Sequence, residues 1–143
     1  MGKKSVGRHA PVAPLREVVA LDSGFFIAVA KRDRRIHAFV EEWLSKGAAF
    51  IVPAPVLAEV TRGSFSDAPI NRMINAVASV VPTTEVAVRD AGASLATIAS
   101  RPAPTVDALV VATAVANLAT TIVTSDPDDI GKLARGALRI VAI

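Results

Sequence analysis

Short apolar runs alternate with segments whose apolar residues recur at intervals of three and four along this chain of 143 residues. "EVVAL" (17–21) reads as a strand, and "FFIAVA", after Ser23 and Gly24, continues as the start of an apolar helix. From Arg34 to Lys46 the apolar positions Ile36, Phe39, Val40, Trp43 and Leu44 form a single helical stripe predicted to be buried, and Gly47 is a natural stop. "AAFIVP" is a second strand. Pro55 suits the first turn of a helix in "PVLAEVTRG" that Gly63 ends. Ser66 and Asp67 are placed to cap a helix over about 68–79.

The second half repeats the alternation. "SVVPT" is a short strand, "EVAVRDAGASLATIAS" is helical, "RPAP" breaks it, and Thr105 stands where an N-cap of the long helix "VDALVVATAVANLA" belongs. "TIVTS" is a strand, "PDDIGKLARG" a short helix and "LRIVAI" a last strand. Continuous apolar strands between helices imply a buried, mostly parallel sheet, so the expected fold is a three-layer α/β/α domain over residues 17–143.

Composition narrows this picture. At 52% hydrophobic residues the chain is apolar, yet its longest low-charge run, Pro102 to Ser125, is broken by Asp107, Asn117 and several threonines, so no membrane span is predicted. The start, "MGKKSVGRHAPVAPLRE", has basic residues without an apolar stretch and is not a secretory signal. The absence of cysteine excludes disulfides and thiolate metal sites and fits a reducing cytoplasm. Net charge is +3, but Lys3, Lys4, Arg8 and Arg16 precede the first acid, Glu17, leaving the remainder with 12 basic and 13 acidic residues. The basic excess thus belongs to a tail, residues 1–16, read either as a flexible terminus or as a nucleic-acid-binding arm.

The acids are the candidate chemistry. Asp22 follows the first strand and Asp126 the fourth, where ligands bind in open α/β sheets. Glu59 lies in the apolar helix after the second strand, and Asp107 in the first turn of the long helix. Each has a local explanation. Asp22 fits an N-cap or turn, Asp107 suits the helix dipole, Asp126 with Pro127, Asp128 and Asp129 reads as a cap with first-turn acids, and Glu59 has Arg62 three residues on. As a set without matching basic residues, they would need protons or a cation if they converge. Oxygen-only donors favour a hard ion, Mg²⁺ or Mn²⁺.

In "ALDSGFFIAV", "VPAPVLAEVTRG", "TVDALVVATAVANLATTIVTSD" and "DPDDI", taken in that order, the chain resembles the PIN domain over about residues 17–143, and within it the VapC-type ribonuclease toxins. The resemblance implies a Rossmann-like sheet and a metal-dependent endoribonuclease whose catalytic cluster is Asp22, Glu59, Asp107 and Asp126. Metal ligands would be Asp22, Asp107 and Asp126, with Glu59 and Asp129 as further candidates and Ser125 at a supporting hydroxyl position. It implies an RNA substrate, a VapB-type antitoxin whose helix lies across the early helices, and a homodimer, to which the hydrophobic "FFIAVA" segment would lend surface.

The run "KRDRR" offers Lys31, Arg32, Arg34 and Arg35 either as a solvated helix start or as a phosphate-contacting edge. His37 reads as a surface or core-edge residue without a catalytic role. Aromatics make up 4% of the chain, and Phe25, Phe26, Phe39, Trp43, Phe50 and Phe65 read as core or interface, so base stacking is not indicated. Two rival readings stand beside the nuclease. One is a non-catalytic PIN-like module that binds RNA or protein. The other is an aspartyl-phosphate protein built on "LDSG", which needs a well-placed lysine where only Lys132 is available late in the chain. Glycine-rich dinucleotide loops, a Walker lysine motif and a G-x-S-x-G elbow are absent.

Overall fold

A computed structural model describes residues 16–143; the basic tail expected over 1–16 lies, but for Arg16, outside them. Five strands form one all-parallel sheet: β1 (Val18–Leu21), β2 (Ala49–Pro53), β3 (Ala78–Val81), β4 (Thr121–Thr124) and β5 (Arg139–Ala142), in the order β3-β2-β1-β4-β5. Their residues are mostly apolar and many are β-branched, and β4 is buried at all four positions, as a strand covered on both faces must be. The intervening helices are α1 (Ser23–Ala30), α2 (Arg34–Ser45), α3 (Ala54–Val60), α4 (Ala68–Val77), α5 (Glu85–Leu95), α6 (Thr105–Ala116) and α7 (Pro127–Ala134). Helix α1 packs on α3 and α4, while α5, α6 and α7 pack in sequence, and α3 also touches α6. The sheet thus grows from β1 in one direction through β2 and β3 and in the other through β4 and β5. The chain reverses its order between β1 and β4, where side chains at the strand ends are left uncovered.

The core gathers Val19, Leu21, Phe25, Phe26, Val52 and Ile122 with apolar faces of the helices. Phe25 meets Phe26 edge to face, with centroids 5.1 Å apart. Both rings are fully buried in their own domain, so the surplus apolar surface expected of "FFIAVA" reduces to Ile27, 47% exposed. On α2, Ile36 and Val40 are buried and Phe39 and Trp43 pack against the core, but Leu44 stays 42% exposed. Of the aromatics read as core or interface, Phe65 is the one outside the core: it is 100% exposed, on a single 3₁₀ turn, Phe65–Asp67. None of the described helices is long and apolar enough to cross a membrane.

Several turn chemistries behave as their residues dictate. Gly47 and Gly63 take φ of +84° and +71°, and end α2 and the segment after α3. Two caps differ from expectation. Pro104, not Thr105, precedes α6, with no side-chain cap, because the helix starts one residue earlier than its hydroxyl requires. Asp67 stands before α4 but turns its buried carboxylate back onto the loop behind it.

Gly24 fixes how closely α1 approaches the turn after β4. A Cβ there would lie 2.2 Å from Ser125 Oγ, 2.6 Å from Ser125 Cβ and 2.9 Å from Ser125 N. Gly24→Ala should therefore destabilise the fold by about 1–3 kcal/mol, the usual cost of overpacking. Urea unfolding measures this, and Ser125→Gly in the same chain should recover part of the loss, because the two positions share one contact.

Candidate functional site

Asp22 continues from β1, and its N–H donates to Val123 O of β4 at 3.0 Å, so the backbone ladder carries the residue to the rim of the sheet. Its side chain is 4% exposed. Oδ1 accepts from Ser23 N–H at 2.8 Å and caps α1, while Oδ2 accepts from Thr124 Oγ1 at 2.7 Å. Thr124 is fully buried, and its hydroxyl oxygen also accepts the Asp126 N–H at 3.0 Å. With that lone pair used, the hydroxyl proton is directed onto Asp22. The costly buried carboxylate is thus hydrogen-bonded on both oxygens without a cation.

Glu59 enters from α3 and Asp107 from the first turn of α6. Carboxylate oxygens of Asp22, Glu59 and Asp107 all lie within 4.8 Å of one another. Among the described residues none of the three is in an ion pair. Arg62, the local alternative for Glu59, instead donates from Nη1 to the carbonyls of Ala58 and Thr61 at 3.2 and 2.7 Å. The electrostatic cost is visible in two groups. Burial, then the charge of Asp22, raises the Glu59 carboxyl above its ordinary value, against a hydrogen bond with Ser23 that lowers it. Asp107 is pushed up to about 6, by burial first and then by the charges of Asp22, Glu59, Asp126 and Asp129.

Asp126 is exposed and stands outside that three-acid group, although its charge reaches Asp107. Its side chain caps α7, accepting from Asp129 N–H at 3.4 Å, and Pro127, Asp128 and Asp129 fill the first turn, as local rules expect. Asp129 lies 3.7 Å from Lys132 Nζ. Ser125 is exposed beside Gly24, and it is Thr124, not picked out from the sequence, that bonds to Asp22. Thr124 is the last residue of β4 and Ser125 the bend after it, and it is the strand residue whose hydroxyl meets Asp22.

The basic run divides between two surfaces. Lys31 and Arg35 line a cavity of about 400 Å³ with Gly24 and Ser125. Arg32, with φ of +56°, and His37 line another of about 580 Å³ between α2 and α4. Arg35 is held by Asp33, through Nε at 3.1 and 3.2 Å and Nη2 at 2.7 Å, and the guanidinium lowers the Asp33 carboxyl to about 2. Arg34 is exposed at the start of α2.

A family model described as PIN domain matches residues 19–136. No curated protein matches the chain in sequence. Similar solved structures include VapBC2 from Rickettsia felis bound to a DNA fragment from their promoter, at 16% identity and TM-score 0.69, covering 88% of this chain and 98% of that one. FitAcB from Neisseria gonorrhoeae is similar at 13% identity and TM-score 0.59, over 86% and 96% of the two chains. VapC20 of Mycobacterium tuberculosis, a sarcin-ricin loop cleaving toxin, is similar at 19% identity and TM-score 0.54, over 73% and 86%.

Two outcomes follow from this geometry. The raised Asp107 carboxyl binds its proton more tightly folded than unfolded, so without metal it lowers stability as pH rises from about 3.8 through about 6. Asp107→Asn should stabilise the metal-free protein at pH 7.5 by about 1 kcal/mol, a value discounted for solvent screening, and leave it unchanged at pH 3. Thermal melts at the two pH values measure the difference. Thr124→Val keeps the shape but removes the donor to a buried oxygen, and should cost about 1–3 kcal/mol in urea unfolding.

Proposed function

The chain belongs to the PIN domain family, and from that premise and the carboxylate geometry we propose that it is a Mg²⁺- or Mn²⁺-dependent endoribonuclease, the toxin of a toxin–antitoxin pair. The observation that carries this reading is the meeting of Asp22, Glu59 and Asp107 within 4.8 Å, with no ion pair to any of them among the described residues. Three carboxylates with hard oxygen donors fit a small divalent cation of the kind that keeps several of its waters.

Asp22 and Asp107 would hold the ion directly or through water, with Asp126 at the rim and Asp129 behind it. When bound, such an ion supplies positive charge, polarises a phosphoryl oxygen and makes hydroxide available near neutral pH. The chain's own contribution is placement. Ser23 N–H and Thr124 Oγ1 fix the Asp22 carboxylate in one orientation. Glu59, raised in pKa and more open to solvent, is suited to ligate or to orient the attacking water. Asp107 gives up its proton as pH rises through about 6, which frees its carboxylate for a cation above that pH.

The toxin reading is supported by the likeness to VapBC2 and VapC20. It implies a VapB-type antitoxin and a homodimer. The groove between α2 and α4, with Val40, Leu44 and Met73 among apolar lining residues and Arg32 and Arg72 at its sides, suits an amphipathic antitoxin helix with acidic flanks.

Asp22→Asn should reduce cleavage of structured RNA in Mg²⁺ or Mn²⁺ by at least about 100-fold, given that the carboxylate sits at the centre of the site. In parallel, either ion at about 100 times its Kd should stabilise the parent by about 2.7 kcal/mol, and Asp107→Asn should lose most of that gain. Undiminished cleavage by a folded Asp22→Asn protein removes Asp22 from the mechanism, and equal melting with and without the ions removes the metal.

A further inference from the structure

Phe65 is wholly exposed, while Phe25, Phe26 and Phe50 are buried and Phe39 packs against the core. Single exposed apolar residues are common on protein surfaces. What sets Phe65 apart is the structure that holds it. Asp67, 6% exposed, accepts from the N–H groups of Arg62 at 3.0 Å to both oxygens, Gly63 at 2.7 Å and Ser64 at 3.3 Å. Asp67 N–H in turn donates to Ser64 O at 3.0 Å. A buried carboxylate therefore gathers the loop from both ends, and the ring is presented on a pre-ordered turn.

The fold also fixes where that turn lies. Helix α4 passes from Val77 straight into β3 at Ala78, with no connecting loop. It therefore runs back along the sheet, about 15 Å for its ten residues, and its first residue sits at the edge where the parallel strands end. That is the edge of Asp22, Asp107 and Asp126. The loop also follows α3, which carries Glu59.

We propose that Phe65 is a stacking platform for an unpaired base of the RNA substrate, set on the same rim as the acids; the proposal rests on the nuclease reading above. The chemistry around the ring favours a base over a protein. Its sequence neighbours Arg62, Gly63, Ser64 and Ser66 are exposed and polar or small, so the loop itself offers no apolar surface beyond the ring of the kind that forms the centre of a protein interface. A base needs only the face of the ring and a nearby cation for its phosphate, and Arg62 supplies the charge. Stacking is indifferent to base identity, so the platform would select for unpaired structure more than for sequence.

The test uses a single-stranded RNA carrying 2-aminopurine, whose emission is quenched by stacking, bound to the full chain with Asp22→Asn to prevent cleavage. Phe65→Ala and Phe65→Leu should each weaken binding about tenfold and abolish the protein-dependent quenching, while Phe65→Trp retains both. Binding to the fully paired duplex of the same sequence should not change, and neither should the melting temperature, because the ring buries nothing. Phe65→Ala equal to its parent in affinity and quenching overturns the proposal, as does a loss of self-association on Phe65→Ala with RNA binding intact. The two readings fail separately. Cleavage by the wild-type chain without dependence on Phe65 leaves the nuclease and removes the platform. Phe65-dependent quenching with no metal-dependent cleavage does the reverse.

Discussion

Negative charge gathered where β1 and β4 end is the constraint to which the rest of the molecule answers. Like charges at this spacing repel, and burial strengthens the repulsion by removing water. The backbone pays part of the cost locally: Asp22 is tied to Ser23 N–H and to Thr124, which in turn takes the Asp126 N–H. This chain of bonds ties the start of α1 to the end of β4 and the start of α7. The fold at this point is specified by polar contacts as much as by the apolar core beneath, and Gly24 is the small residue that lets α1 come close enough to make them.

The alternation of strands and helices was legible because each element obeys a local rule. Buried parallel strands are short continuous apolar runs, α2 carries an apolar stripe, and glycine ends segments where φ turns positive. Placement of the acids at strand ends and helix starts was legible for the same reason. What the sequence does not carry is direction in space. Phe65 resembles a core residue by type, but the loop that bears it is folded by Asp67, whose carboxylate looks backward to Arg62, Gly63 and Ser64 instead of forward into α4. Leu44 belongs to the apolar stripe of α2, yet it lies at the mouth of the groove against α4. Thr124 and Ser125 are chemically alike, and only where β4 ends decides between them.

For Asp22 a local role and membership of the acid group coexist. Asp22 and Asp126 cap α1 and α7, as a turn-by-turn reading expects. A capping carboxylate engages one side of its oxygens with backbone N–H, which leaves other lone pairs free to face the rim. The basic run after α1 shows the opposite case. Four cations close in sequence do not form one surface, because Arg35 is bound to Asp33 and Arg32 turns toward α4. Lys31 keeps its charge free of any ion pair among the described residues and shares a cavity with Ser125. The run is thus divided between two cavities, Lys31 and Arg35 at one and Arg32 at the other.

Helix dipoles are the obvious alternative to a cation as the counter-charge, since α1, α6 and α7 all begin beside the acids. The magnitudes decide against them as sufficient. Each N-terminus contributes about 0.3–1 kcal/mol to a nearby anion. Asp107, in the first turn of α6, stands at about 6 against an ordinary 3.8, raised by burial and by the charges of Asp22, Glu59, Asp126 and Asp129. Burial and neighbouring charge thus disfavour the charged forms of Glu59 and Asp107. A proton relieves one of them at a time. A divalent ion would relieve all of them together, and the oxygen-only donor set meets its chemistry, so the proposed activity and the predicted cost of the metal-free site would share one cause.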